Sequence, residues 1–122
     1  MNFEDILSNM VAGLQQEIGA GIASIRGFID DQGKLLAKQA EMLAKSRATG
    51  SLRDDDELFA FFLEGLETNT RNLARVITMH SIITIEKAWN ALAHALWGGI
   101  RSILQGAGFP DPLLPPDPPF SF

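Results

Sequence analysis

The sequence has no cysteine and no tyrosine, only two histidines, and no proline before residue 110. Without thiols there is no disulfide scaffold, no thiolate zinc site and no cysteine nucleophile, and the redox compartment stays undetermined. Long uncharged runs are missing as well. His80, Glu86, Lys87, His94 and Arg101 interrupt the most apolar stretch, Val76 to Leu104, so it lacks the run of about 18 uncharged apolar residues expected of a membrane span. The stretch from Ile6 to Ile29 carries only Glu17 and Arg26 as charges, but glycines and amides dilute it. Basic charge is scarce too. Ten Lys+Arg against fifteen Asp+Glu give a net charge of -5, which argues against a phosphate-binding surface and against nucleic acid as a partner. Glu4 and Asp5 stand where a secretory signal needs basic residues. The expectation is a soluble, cytoplasmic protein.

What remains is 122 residues, 46% of them hydrophobic. That is enough for one domain with a modest core and too apolar for a disordered chain. Phe3, Leu7, Met10, Leu14, Ile18, Ile22, Ile25, Ile29, Leu36 and Leu43 recur at three- and four-residue steps or their sum. An advance of about 100° per residue keeps them in one arc. Asn2 can cap the start, with Asp5 three residues on. The spacing predicts one helix from Phe3 to Lys45, about 60 Å long. Thr49, Gly50 and Ser51 break the pattern, and Asp54 to Glu57 load the next first turn with negative charge. This reads as the turn of an antiparallel helical hairpin.

The second helical region runs from about Asp55 to about Gln105. Its first half presents Leu58, Phe62, Leu66, Leu73, Val76 and Ile77, and its second half Ile82, Ile85, Trp89, Leu92, Leu96, Ile100 and Ile103. These two sets lie on different sides of a helical wheel. One straight helix cannot bury both against one neighbour, so either it kinks or the second face meets another chain. The β-branched run from Val76 to Ile85 has poor helix propensity and is the expected bend.

Centring the turn on Gly50 sets Gln32 against Asn69, Gln39 against Phe62 and Gly21 against His80. Gln32 and Asn69 then form a buried, register-setting polar layer. Gly13, Ala20 and Gly27 repeat every seven residues, and with Gly21 they suggest a groove for close helix packing. The alternative for that groove is association with a membrane surface.

Chemistry is harder to find. His80, one turn from Glu17 in this register, could hold a proton or orient an imidazole for a metal, with Glu86 as a third weak candidate. A di-iron carboxylate bundle needs Glu-x-x-His on two helices, and no histidine follows any glutamate at that spacing. There is no phosphate-binding loop, no His-Glu-x-x-His and no nucleophile elbow. No catalytic residue and no cofactor is assigned. His80, Lys87, His94 and Arg101 share a stripe that reads as a solvated face.

All six prolines fall in the tail, with Phe109, Leu113, Leu114, Phe120 and Phe122 as its apolar side. The tail reads as an extended, polyproline-like arm that docks Leu113, Leu114, Phe120 or Phe122 on its own or a neighbouring subunit.

The sequence thus predicts an all-α fold. A long hairpin with a kinked second helix spans 1–108, and a proline-rich arm follows over 109–122. Two helices leave Trp89, Leu92, Leu96, Trp97 and Ile100 uncovered, and such side chains are worth about 1.5–3 kcal/mol each when buried. They are therefore the expected interface of a homo-oligomeric bundle, a dimer or larger. The functional expectation is a non-catalytic assembly or accessory subunit acting through protein–protein contacts. The alternatives are an amphipathic lipid-binding protein or a metal- or cofactor-holding bundle.

Overall fold

Asn2 opens the first helix as the periodicity requires. Its side chain accepts from Asp5 N–H at 3.0 Å while Asp5 Oδ2 accepts from Asn2 N–H at 3.1 Å, a reciprocal capping box. The computed structural model describes residues 1–120 and is helical throughout its core. The helices are α1 (Phe3–Ile18), α2 (Arg26–Thr49), α3 (Asp56–Met79) and α4 (Ile85–Gly106), with short 3-10 segments at Gly19–Ser24 and Asp111–Leu113. No strand occurs among the described residues. The fold class is all-α.

The expected single helix from Phe3 to Lys45 is two helices. Gly19 has φ +71°, a conformation closed to side-chain-bearing residues at little cost, and it ends α1. Glycine and alanine then carry the chain through the 3-10 segment. Beyond it α2 runs back along α1. Phe3 N–H donates to Glu41 Oε2 at 2.7 Å, Lys38 lies over the Phe3 ring, and Leu7 meets Gly33. The apolar period is unbroken across the break because both helices turn the same set of residues toward one interior. Periodicity reports the buried face; the turn is written in the glycines.

The second break falls in the β-branched stretch where a bend was expected. It is a full reversal rather than a kink. Helix α3 stops at Met79, and Thr84 caps α4 by accepting from Lys87 N–H at 3.3 Å. The connection after α2 also differs from the sequence reading. Gln39 pairs with Asn69, and the Phe28 ring lies 6.4 Å from the His80 ring. Each α2 residue thus faces one about seven places further along α3 than a Gly50-centred turn gives. The loop is longer than a tight turn and Leu52 folds inward within it.

The four helices form an up-down-up-down bundle. Helix α4 touches all three others, α2 and α4 approach across the short diagonal, and α1 and α3 lie on opposite flanks. The sequence of α4 explains its place. Ala88, Ala93, Ala95 and Gly99 admit neighbours closely on several sides, while Trp89, Leu92, Leu96, Ile100 and Leu104 fill the interior with Ile6, Met10, Leu14, Ile29, Leu66 and Ile77. A helix apolar on most of its circumference belongs at the centre.

Candidate functional site

The tryptophan-bearing face of α4 is covered by the chain's own helices. Trp89 is 1% exposed and Trp97 3%, and Leu92, Leu96 and Ile100 are fully buried. These five residues are therefore core, which corrects their assignment to an oligomer interface. The expected hairpin left them open; folding each half of it back on itself supplies two more helices, and these close over them.

Other expected positions move as well. Gln32 and Asn69 are exposed and do not form a buried layer. Asn69 Nδ2 donates instead to Gln39 Oε1 at 3.0 Å, a consequence of the shifted register. Gly13 does mark a close approach, since a Cβ there would lie 3.4 Å from Ala91 Cβ on α4. Ala20, Gly21 and Gly27 are exposed and pack against no other helix, because the 3-10 segment takes Ala20 and Gly21 out of α1 and Gly27 falls outside the bundle seam. The close contacts that sequence reasoning missed are Gly33, set against Leu7 and Met10, and Gly99, set against Ile6. Adjacent apolar periodicity could have flagged Gly33, which sits midway between Ile29 and Leu36.

His80, Glu17 and Glu86 are not assembled into a site. His80 is exposed at the end of α3 beside Phe28, Glu17 faces Lys87 at 3.7 Å, and Glu86 is exposed in the first turn of α4. Among the described residues no group of three or more His, Asp or Glu is arranged to hold a metal ion. Nor is any helix among them long and apolar enough to cross a membrane.

The arm docks on its own protomer, chiefly through backbone carbonyls and Asp117. Trp89 Nε1–H donates to Pro118 O at 3.2 Å, and Arg101 Nη1 donates to Pro115 O at 3.1 Å and to Asp117 Oδ1 at 2.6 Å. His94 Nδ1 lies 3.0 Å from Asp117 Oδ2. Leu114 is half-buried against the core, whereas Leu113 and Phe120 are exposed. Phe122, the fourth expected docking residue, lies outside the described residues. A proline-rich segment suits this role because its carbonyls project outward with few backbone donors to satisfy.

What the bundle leaves open is the outer face of α2 and α3. Phe28, Leu35 and Met42 line α2, and Leu58, Phe61 and Phe62 line α3, with Met42 68% and Phe61 65% exposed. Between the helices runs a trough with two recesses of about 490 and 450 Å³, which share Leu35 and Gln39 in their walls. Along the outer sides of these helices Asp31, Lys34, Lys38 and Lys45 on α2 and Glu57, Glu64 and Arg75 on α3 are exposed. Comparison with protein-family models, with curated proteins and with solved structures finds no match to this chain.

Proposed function

We propose that this chain is a non-catalytic helical assembly module that self-associates through the α2–α3 face. The observation that carries the reading is the row of exposed Phe28, Leu35, Met42, Phe61 and Phe62 on one side of a bundle whose other large apolar side chains are mostly buried. A contiguous exposed apolar patch of this kind marks an interaction surface. Aromatic and methionine side chains are the types enriched at such surfaces. The test is solution mass by light scattering at tens of micromolar protein. Self-association is expected, with collapse to the protomer mass in Leu35→Asp/Phe62→Asp at unchanged helical circular dichroism. A wild-type chain that stays at protomer mass overturns the reading.

A second reading has its own support. At the α3–α4 corner Met79 and Ile82 project into solvent, Ile82 at 88% exposure. Such a tip can enter the interfacial zone of a lipid layer. Flotation with liposomes that is lost in Ile82→Asp favours it, and no flotation removes it.

A further inference from the structure

We infer that the side of α4 bearing Trp89, His94 and Arg101 is a recognition site for an extended, proline-rich segment with one carboxylate. The chain's own arm occupies it, and a matching segment of another protein displaces the arm. No residue of the outer α2–α3 face takes part.

The bundle meets residues 115–118 with donors. Trp89 Nε1 and Arg101 Nη1 have no acceptor capacity, and they reach Pro118 O at 3.2 Å and Pro115 O at 3.1 Å. Arg101 Nη1 also reaches Asp117 Oδ1 at 2.6 Å, and His94 Nδ1 stands 3.0 Å from Asp117 Oδ2. Facing a carboxylate, that ring nitrogen serves as a donor too. The arm answers with acceptors. Four of the five residues 115–119 are proline, so Asp117 carries the only backbone N–H of the stretch. An ordinary peptide brings a donor at every residue to a surface that here supplies donors itself. Proline-rich chain is the composition that fits, and its fixed φ leaves little freedom to lose on docking.

The contacts run from Arg101 through His94 to Trp89 as the arm passes from Pro115 to Pro118, so the segment lies antiparallel to α4. Arg71 of α3 lies 5.7 Å from the Trp89 ring, which places the site along the α3–α4 seam. By helical spacing Glu67 and Arg71 on α3 and Glu86 on α4 border this seam, with Glu64 and Arg75 next to them. Glu67 is engaged by Arg71 at 3.5 Å. Selectivity for a carboxylate therefore lies in the direct clamp on Asp117 and not in net charge.

The arm is held as a strap. Its root is anchored separately, since Phe109 N–H donates to Leu104 O at 3.0 Å, the Arg47 guanidinium lies over the Phe109 ring and Leu114 packs on the core. The clamp beyond it joins partly exposed side chains, a kind of contact worth little in water. Residues 115–119 can thus lift while the root holds. A short tether keeps them at a local concentration on the order of millimolar, so the closed strap is the resting state. Exchange of arms between two copies replaces each bond by its equal and gains nothing, which makes a different protein the occupant.

Anisotropy titration of a fluorescein-labelled peptide of residues 109–120 against the full chain tests this. Asp117→Lys turns the clamp on the arm into repulsion, and that chain is expected to bind the peptide roughly three- to tenfold more tightly than the wild type. Asp117→Ala should shift less, in the same direction. The peptide carrying Asp117→Ala is expected to bind the Asp117→Lys chain about two- to fivefold more weakly than the unaltered peptide. Arg101→Gln also loosens the arm but removes part of the site, so it is expected to bind the peptide about fivefold more weakly than the Asp117→Lys chain. With helical circular dichroism unchanged, equal affinity in wild type and Asp117→Lys, no binding to either, or indifference to the peptide's carboxylate overturns the inference. Wild-type self-association that disappears in Asp117→Lys would make a second copy's arm the occupant and overturn the partner assigned here.

Discussion

Arg47 Nη2 donates to Asp56 Oδ1 at 2.6 Å, joining the last turn of α2 to the first residue of α3. The arginine is 5% exposed, its Nη1 also donates to Leu52 O and Arg53 O, and its guanidinium lies over the rings of Phe59 and Phe109. One side chain therefore fixes the loop, the start of α3 and the root of the arm. We expect Arg47→Met to destabilise by about 2–4 kcal/mol, since two backbone carbonyls lose a charged donor. Arg47→Lys should recover only part, because one ammonium cannot reproduce the planar fork. Asp56→Ala should cost about 1 kcal/mol or less, its side chain being exposed. Urea denaturation ranks the three.

Adjacent glycines on α4 should respond with opposite sign. A Cβ at Gly99 would sit 2.6 Å from Ile6 Cγ1, whereas at Gly98 the nearest atom is Arg101 Nη2 at 3.7 Å. Gly99→Ala should destabilise by about 1–3 kcal/mol through overpacking. Gly98→Ala should stabilise by about 0.5–1 kcal/mol through helix propensity. Thermal melts of the two variants check both signs.

Trp89→Asp should abolish the fold rather than split an oligomer. An unpaired carboxylate at a fully enclosed position costs several kcal/mol, a large share of a small domain's stability. Loss of helical circular dichroism is the expected result, while Leu35→Asp on the outer face keeps the helical signal. A folded Trp89→Asp protomer would contradict the burial of this ring.

Asp117→Ala should loosen the arm without unfolding the bundle, since Trp89 and Arg101 keep their bonds to Pro118 O and Pro115 O. It removes one of the two acceptors of Arg101 and the partner of His94, partly exposed contacts worth about 1 kcal/mol or less together. Faster cleavage of the arm by proteinase K and a red shift of Trp89 emission are the expected signs.

The apolar arc of the first 45 residues, the N-cap at Asn2 and the existence of a break near Val76 to Ile85, though not its full reversal, were legible because each is local: a period, a cap, a run of β-branched residues. The turn at Gly19 was not. Gly19 stands beside the small residues Gly13, Ala20 and Gly27, a set that reads equally as a packing groove or a chain break, and only the fold-back of α2 onto α1 decides between them. That one ambiguity carried the misassignment of Trp89, Trp97 and their neighbours, since two long rods leave uncovered what four short ones enclose. The outer face escaped notice for a related reason. Leu58 and Phe62 fit the same apolar pattern as Leu66, and Leu35 and Met42 each stand beside a buried leucine, so pattern alone does not say which leucine is inside.

Helix α4 is the last of the four in chain order, and like α2 it packs against all three others. Ile6 near the start finds its seat only against Gly99. During vectorial synthesis the first three helices therefore emerge with only the α1–α2 and α2–α3 seams to form, and the interior closes in one late step when α4 leaves the ribosome. A chain cut before that rod would keep its greasy flanks bare, which makes premature truncation far more hazardous than loss of the arm.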